Sequence, residues 1–174
     1  MSEIEGSNSL QVATEAFLES WDRHVLILGN LCNEIGEEEK DFKAAPDGST
    51  LGEYLCHIHE CRYSWLKEVS AKSVEPLGAV YTHDGDTWMA ITDLNEIKKQ
   101  LDLSGKAVGD AVRELIDLGT TQAGPYDHPA FFLQHMLWHE SGHFGVMTLA
   151  FRVAGQELDE EWEEENVWGV WRKE

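Results

Sequence analysis

Three histidines spaced four residues apart, His135, His139 and His143, lie inside the apolar stretch from Phe131 to Arg152. At about 100° per residue, His139 shares a helix face with Phe132, Met136, Val146 and Ala150, with His135 and His143 roughly 40° to either side. Gln134, Ser141, Thr148 and Arg152 fall opposite, so the pattern turns the histidines inward. Buried imidazoles need partners, and two of them at i and i+4 can grip one metal ion together. His135 and His143 are about 12 Å apart along the axis, so one ion takes either His135 with His139 or His139 with His143. A further ligand has to come from another helix.

Cys56-His57-Ile58-His59-Glu60-Cys61 is the segment that offers one. His57 and Cys61 are i, i+4 neighbours, while His59 points roughly 160° away from His57. Tyr54, Cys61 and Trp65 favour an inward His57, whereas Leu55 and Leu66 favour an inward His59, and periodicity leaves the choice open. Each histidine can equally be a satisfied core residue, and Cys61 can be packing alone. His139-Glu140-Ser141-Gly142-His143 also matches the H-E-x-x-H motif of zinc peptidases, in which the glutamate activates a water. The context argues against that reading. No strand-like alternation supplies an edge for a peptide, and Glu140, about 100° from His139, reads as a helix-surface carboxylate.

Four helical patterns must position these groups. The first runs from about Leu10 to Leu31, with Ser9 as its cap, and ends at Gly36 and the acidic turn. Pro46-Asp47-Gly48 makes a loop. The second runs over 50–71 and opens on Thr50-Leu51-Gly52-Glu53, a capping-box spacing. A connection of roughly twenty residues follows, Ser73 to Thr92, and one that long is usually functional or packed over something. The third helix, over 93–118, is capped at Asp93 with Glu96 at N3. Its Gly105 and Gly109 weaken it by about 1 kcal/mol each relative to Ala, which close packing would justify. Pro129 suits the first turn of the fourth helix, over 129–154, and Gly155 its C′ position. The tail carries Trp162, Trp168 and Trp171 and is expected to fold back onto the rest. The expectation is one all-α domain over 1–174, a four-helix bundle with a long second connection and a Trp-rich tail.

Composition narrows the partners. A net charge of −20 argues against nucleic acid and anionic membranes, whose phosphates need Lys and Arg. Much of that charge sits in Glu34 to Asp41 and Glu157 to Glu165, as solvated segments. No apolar run approaches a membrane span, and the acidic N-terminus does not look like a signal peptide, so a cytoplasmic location is expected. Cys32, Cys56 and Cys61 have no framework spacing and read as reduced thiols.

The layout resembles the DinB/YfiT-like superfamily of metal-binding four-helix bundles, which is unrelated to the DNA polymerase sharing the name. Thr50-Leu-Gly-Glu-Tyr-Leu-Cys-His57 is similar to the family's second-helix Leu-Gly-Glu-Leu-Leu-x-His segment, which ends in a metal ligand. His139-Glu-Ser-Gly-His143-Phe-Gly-Val is similar to its fourth-helix His-x-x-x-His-Arg-Gly-Gln segment. By position the resemblance implies His57, His139 and His143 as ligands, with His59 and His135 as supporting or packing residues. Phe144 and Val146 depart from the family's Arg and Gln. Gly145 is retained and, with Gly142, would allow close helix approach or space near the metal.

Three neutral imidazoles leave an open coordination position, the catalytic pattern. A divalent ion there, zinc or nickel, could lower the pKa of a bound water to about 7 or activate a thiolate. Family members with assigned activities include transferases and isomerases that use bacillithiol, mycothiol or glutathione. The resemblance therefore implies a metal-dependent enzyme, a low-molecular-weight-thiol transferase or a small-substrate hydrolase, that forms a homodimer. Glu140 and Glu60 are the acid/base candidates, and Tyr54, Trp65 and Trp88 could line the pocket. The alternatives are a non-catalytic metal-binding or stress-response bundle and, against its context, the H-E-x-x-H peptidase.

Overall fold

The computed structural model describes residues 2–172, with side chains from residue 11 onward. Four long helices dominate: α1 (Ser2–Glu34), α2 (Leu51–Val69), α3 (Leu94–Asp117) and α4 (Pro129–Val153). α1 begins at Ser2, so Ser9 lies within the helix rather than capping it. The other starts follow their local chemistry. Thr50 accepts from Glu53 N at 3.2 Å while its own N–H donates to the Glu53 carboxylate at 2.7 Å, a complete capping box. Asp93 accepts from the Asn95 and Glu96 amides. The Glu96 carboxylate, however, turns to Lys99 and Gln100 instead of reaching back to the cap. At α4, Pro129 follows an N-cap His128, and Gly155 takes φ 78° beyond the last turn, where Gln156 N closes onto Phe151 O.

The helices enclose two apolar clusters. Leu31, Ile35, Leu51, Leu55, Ile58, Ile97, Met147 and Phe151 build the first. Leu18, Trp21, Leu66, Val108, Val112, Phe132 and Met136 build the second. On every helix, polar residues separate the two sets, and they form the layer described below. α3 approaches closely there: a Cβ on Gly105 would lie 3.0 Å from Arg62 Nη1 and from Val25, and one on Gly109 would lie 3.0 Å from the Trp21 ring. Those two glycines are close-packing positions. Gly142 and Gly145 are not, since nothing lies within 4 Å of a Cβ at either.

The second connection is not structureless. Tyr81–Asp84 (β1) pairs antiparallel with Thr87–Ala90 (β2), Tyr81 opposite Ala90 and Asp84 opposite Thr87. The sequence shows no strand-like alternation here because six of the eight strand positions are exposed, and only the turn carries a signal. Gly85 supplies φ 61° at the first turn position, as a two-residue hairpin requires. Val80 plugs the hairpin into the first apolar cluster. Beyond α4, α5 (Glu160–Glu163), a π-helical turn (Glu164–Trp168) and α6 (Gly169–Trp171) return along α1. Trp162 Nε1 donates to Glu34 at 2.9 Å, Asn30 to the Asn166 carbonyl at 2.9 Å and Arg23 to the Val170 carbonyl at 2.7 Å.

Candidate metal centre

α2 and α4 face each other across a row of polar and aromatic side chains. Along α2 the four-residue spacing stacks His57, Cys61 and Trp65 on one face, and α4 sets His143, His139 and His135 against them. The Nε2 atoms of His57 and His139 are 3.2 Å apart, and those of His139 and His143 are 3.0 Å apart. Cys61 Sγ lies 3.6 Å from His57 Nε2. His57, Cys61 and His139 each bring a ligand atom within 4.8 Å of the other two, a group that can hold a metal ion. His143 joins through its short contact to His139. The Tyr54 ring packs 5.2 Å from that of His143 at one end of the row.

Hydrogen bonding does not account for this arrangement. A ring nitrogen carries either one proton or one lone pair, so His139 Nε2 cannot be a full partner to both His57 and His143. His139 Nδ1 is also the buried side-chain polar atom that finds no partner among the described residues. A cation shared by the converging Nε2 lone pairs satisfies those three nitrogens together and fixes the His139 proton on Nδ1, and the donor set of imidazoles and a thiol suits zinc, nickel or another borderline ion. Burial and the neighbouring rings lower the pKa of His139 and hold that of His143 at about 4, which keeps them neutral as ligands must be. Burial pushes the Cys61 thiol up to about 11, with Glu60 adding to the effect.

The other sequence candidates fall elsewhere. His59 is fully buried, its ring nitrogens 2.9 Å from the Gly78 carbonyl oxygen and 3.0 Å from that of Gln100, and it ties the second connection to α3. His135 Nδ1 meets the Tyr126 hydroxyl at 2.7 Å, with Trp65 packed beside both rings. Trp88 covers His83 on the hairpin. Glu60 accepts from Ser64 at 3.1 Å and lines a cavity of about 370 Å³ with Tyr63, Tyr81 and Trp88, where no acceptor or donor of the histidine row faces it.

Glu140 needs the largest correction. It is only 1% exposed and lies near the middle of the buried face of α4, between Met136 and Met147, so it is not a surface carboxylate. The histidines occupy the flank of that face rather than its centre. Arg62 grips Glu140 with two parallel bonds, Nε to Oε1 at 2.7 Å and Nη2 to Oε2 at 2.6 Å, and His24 donates to Oε2 at 2.8 Å. Burial alone would raise its pKa, but the Arg62 charge and these bonds prevail and hold it at about 2. A carboxylate so engaged is a poor base, and the H-E-x-x-H reading loses its water-activating residue.

Arg62 and His24 were missed in the sequence. Arg62 lies on the Leu55-Ile58-Leu66 face of α2, and His24 on the Trp21-Leu28-Leu31 stripe of α1. An arginine on an apolar stripe demands an acid, and that was the available signal. Arg62 also donates to the Leu101 carbonyl at 2.8 Å and lies over the Trp21 ring, so all four helices meet in this layer.

A family model described as the DinB superfamily matches residues 16–147, about three quarters of the chain, spanning the histidine row and the Arg62–Glu140 layer. No curated protein and no solved structure matches.

Proposed function

The chain belongs to the DinB superfamily, and on that premise we propose a metal-dependent enzyme whose ion is held by His57, His139 and His143 and whose substrate is a small molecule. The observation that carries this reading is the convergence of three imidazole Nε2 atoms from two helices, at 3.2 and 3.0 Å, around one nitrogen that cannot serve both neighbours by hydrogen bonding. A divalent ion in that set supplies Lewis acidity toward an oxygen or sulfur donor. The chain's own residues do the rest. His57 and the α4 pair fix the position from opposite helices, and Tyr54, Trp65 and Tyr126 bound the row with aromatic surface. Glu140, one residue from His139, anchors α4 to α2 through Arg62 and so holds the ligand-bearing backbones in register.

A low-molecular-weight thiol is the favoured substrate class, by the family resemblance and because the row already accommodates a sulfur at 3.6 Å from His57. Zinc or nickel are the favoured ions. Among the described residues no helix is long and apolar enough to cross a membrane. The three cysteines are free, which suits the reducing cytoplasm we assign it to. We also propose a homodimer that uses the outward face of α4, where Phe131, Trp138 and Leu149 are exposed.

The deciding experiment is metal content by mass spectrometry, followed by turnover assays with thiol-conjugation substrates. About one equivalent of metal, lost in His57→Ala and His139→Ala, together with metal-dependent turnover, is the expected result. No metal after reloading with zinc or nickel would overturn the reading. Metal without turnover across thiol and ester substrates would leave the non-catalytic bundle.

A further inference from the structure

Among the described residues, three cysteines are present, and only one faces the histidine row. Cys32 is buried in α1, and Cys56 Sγ points to the Ile91 carbonyl at 3.9 Å. Cys61 Sγ has both of its polar contacts with His57, at 3.6 Å to Nε2 and 3.8 Å to Nδ1. Zn–N bonds of about 2.05 Å and a Zn–S bond of about 2.3 Å in a tetrahedral shell place neighbouring nitrogens about 3.3 Å apart, and nitrogen and sulfur about 3.6 Å apart. The observed edges are 3.2 and 3.0 Å between nitrogens and 3.6 Å from sulfur to His57 Nε2. The sulfur edge to His57 therefore fits as well as the imidazole edges do, His57, Cys61 and His139 each bring a ligand atom within 4.8 Å of the other two, and His143 adjoins that group through the Nε2 of His139.

We propose that Cys61 is a fourth protein ligand, so that the ion sits in a closed set of His57, Cys61, His139 and His143. The inference rests on the metal reading above and changes its character. Three imidazoles leave a position open, whereas three imidazoles and a thiolate fill a tetrahedral shell, the pattern of sites closed to solvent. Binding proceeds with loss of the thiol proton: Cys61–SH and the divalent ion give the sulfur–metal bond and one proton released to solvent. Cys61 is also the arm best placed to leave. Apart from His57, its sulfur has no polar partner among the described residues. Access of a small substrate to the ion is then governed by this one side chain.

The test uses cobalt(II) as the probe on the full chain. Wild type and a Cys32→Ser, Cys56→Ser variant should each take up one equivalent and show a thiolate-to-cobalt charge-transfer band in the near ultraviolet. Cys61→Ser should stay folded by circular dichroism and lose the band. Its affinity should fall by more than the roughly 10–100-fold typical of removing a ligand's supporting partner. It should also release about one proton fewer per cobalt bound. One equivalent of cobalt in wild type with no such band, or a band that survives in Cys61→Ser, would overturn the fourth ligand and leave the three-histidine site standing. Failure of wild type to bind cobalt at all would overturn both.

Discussion

Two polar clusters are joined in the chain at two points: Cys61 precedes Arg62 on α2, and His139 precedes Glu140 on α4. A single residue step rotates the side chain by about 100°, and that rotation separates a finished arrangement from an unfinished one. On one side of it, Arg62, Glu140 and His24 are buried with every short contact matched in charge and in donor and acceptor. On the other, the imidazoles of His57, His139 and His143 crowd nitrogen against nitrogen, and His139 Nδ1 has no partner among the described residues. The first cluster uses polar groups to fix how four helices meet. The second holds donor atoms together without satisfying them, and a cation on the Nε2 lone pairs relieves the crowding of nitrogen against nitrogen.

The sharpest way to break this contrast is to unpair the first cluster. Glu140→Ala leaves the Arg62 guanidinium buried and uncompensated, so the unfolding free energy in urea should fall by about 3–5 kcal/mol, or the protein should fail to fold. Replacing both partners, as Arg62→Met with Glu140→Leu, should recover most of the loss, because well-packed apolar side chains replace buried ion pairs at little cost. A loss under about 1 kcal/mol in the single variant would mean that the layer does not hold the helices.

The second cluster should respond in the opposite sense. His139→Ala removes the crowded nitrogen and its orphan, so metal-free stability should change by less than about 1 kcal/mol. Metal-loaded wild type should gain about 2.7 kcal/mol at a free-metal concentration of 100 Kd, and the variant should gain none. Melting curves with and without chelator read both quantities. A His139→Ala protein as unstable as Glu140→Ala would make the histidine row structural.

Acid should separate the clusters in the metal-free protein. His143 has its folded pKa depressed to about 4 from 6.5, so the unfolded chain binds the proton first. Its contribution is complete above about pH 6.5 and is lost as pH falls toward 4. Glu140 is depressed to about 2 from 4.5, so its contribution persists above pH 4.5 and is lost only as pH falls toward 2. Urea midpoints from pH 7 to pH 3 should therefore fall in two stages. The first should be shallow, because the histidine is partly exposed, and should vanish in His139→Ala with His143→Ala. A first stage unchanged in that double variant would assign it to other groups.

The sequence exposed these clusters unequally. Helix placement was readable because caps and apolar periods are local: Thr50 with Glu53, Asp93, Pro129 and Gly155 all act within a turn. The row of His57 and Cys61 against the α4 histidines was half readable, since four-residue spacing aligns groups on one helix but does not say which helices face each other. The Arg62–Glu140–His24 layer was hidden. Its members are 78 and 116 residues apart in sequence, and each looks alone like a misplaced polar residue on an apolar stripe. Glu140 was further disguised by sitting in a motif that has another meaning. The hairpin escaped because its strands, apart from Tyr81 and Ala90 at the open end, are exposed and carry no alternation for the core to impose.

His135 offers the finest discrimination between satisfied and unsatisfied groups, because it precedes His139 by the same four residues by which His143 follows it. Spacing alone cannot choose between the two pairs. The structure gives His135 a complete local environment, with the Tyr126 hydroxyl 2.7 Å from Nδ1 and the Trp65 ring 5.4 Å away. His143 has the Tyr54 ring 5.2 Å away but no hydroxyl partner among the described residues, and it turns its Nε2 to His139. His135→Phe should cost about 1 kcal/mol, the usual net worth of one hydrogen bond, and leave metal affinity within about twofold, as expected of an independent site. His143→Ala should reverse that order, with little loss of metal-free stability and a large loss of metal. Isothermal titration with zinc on both variants reads the affinities. A tenfold loss in His135→Phe would move the ion one helical turn toward the N-terminus of α4, and His143 would then be the packing residue.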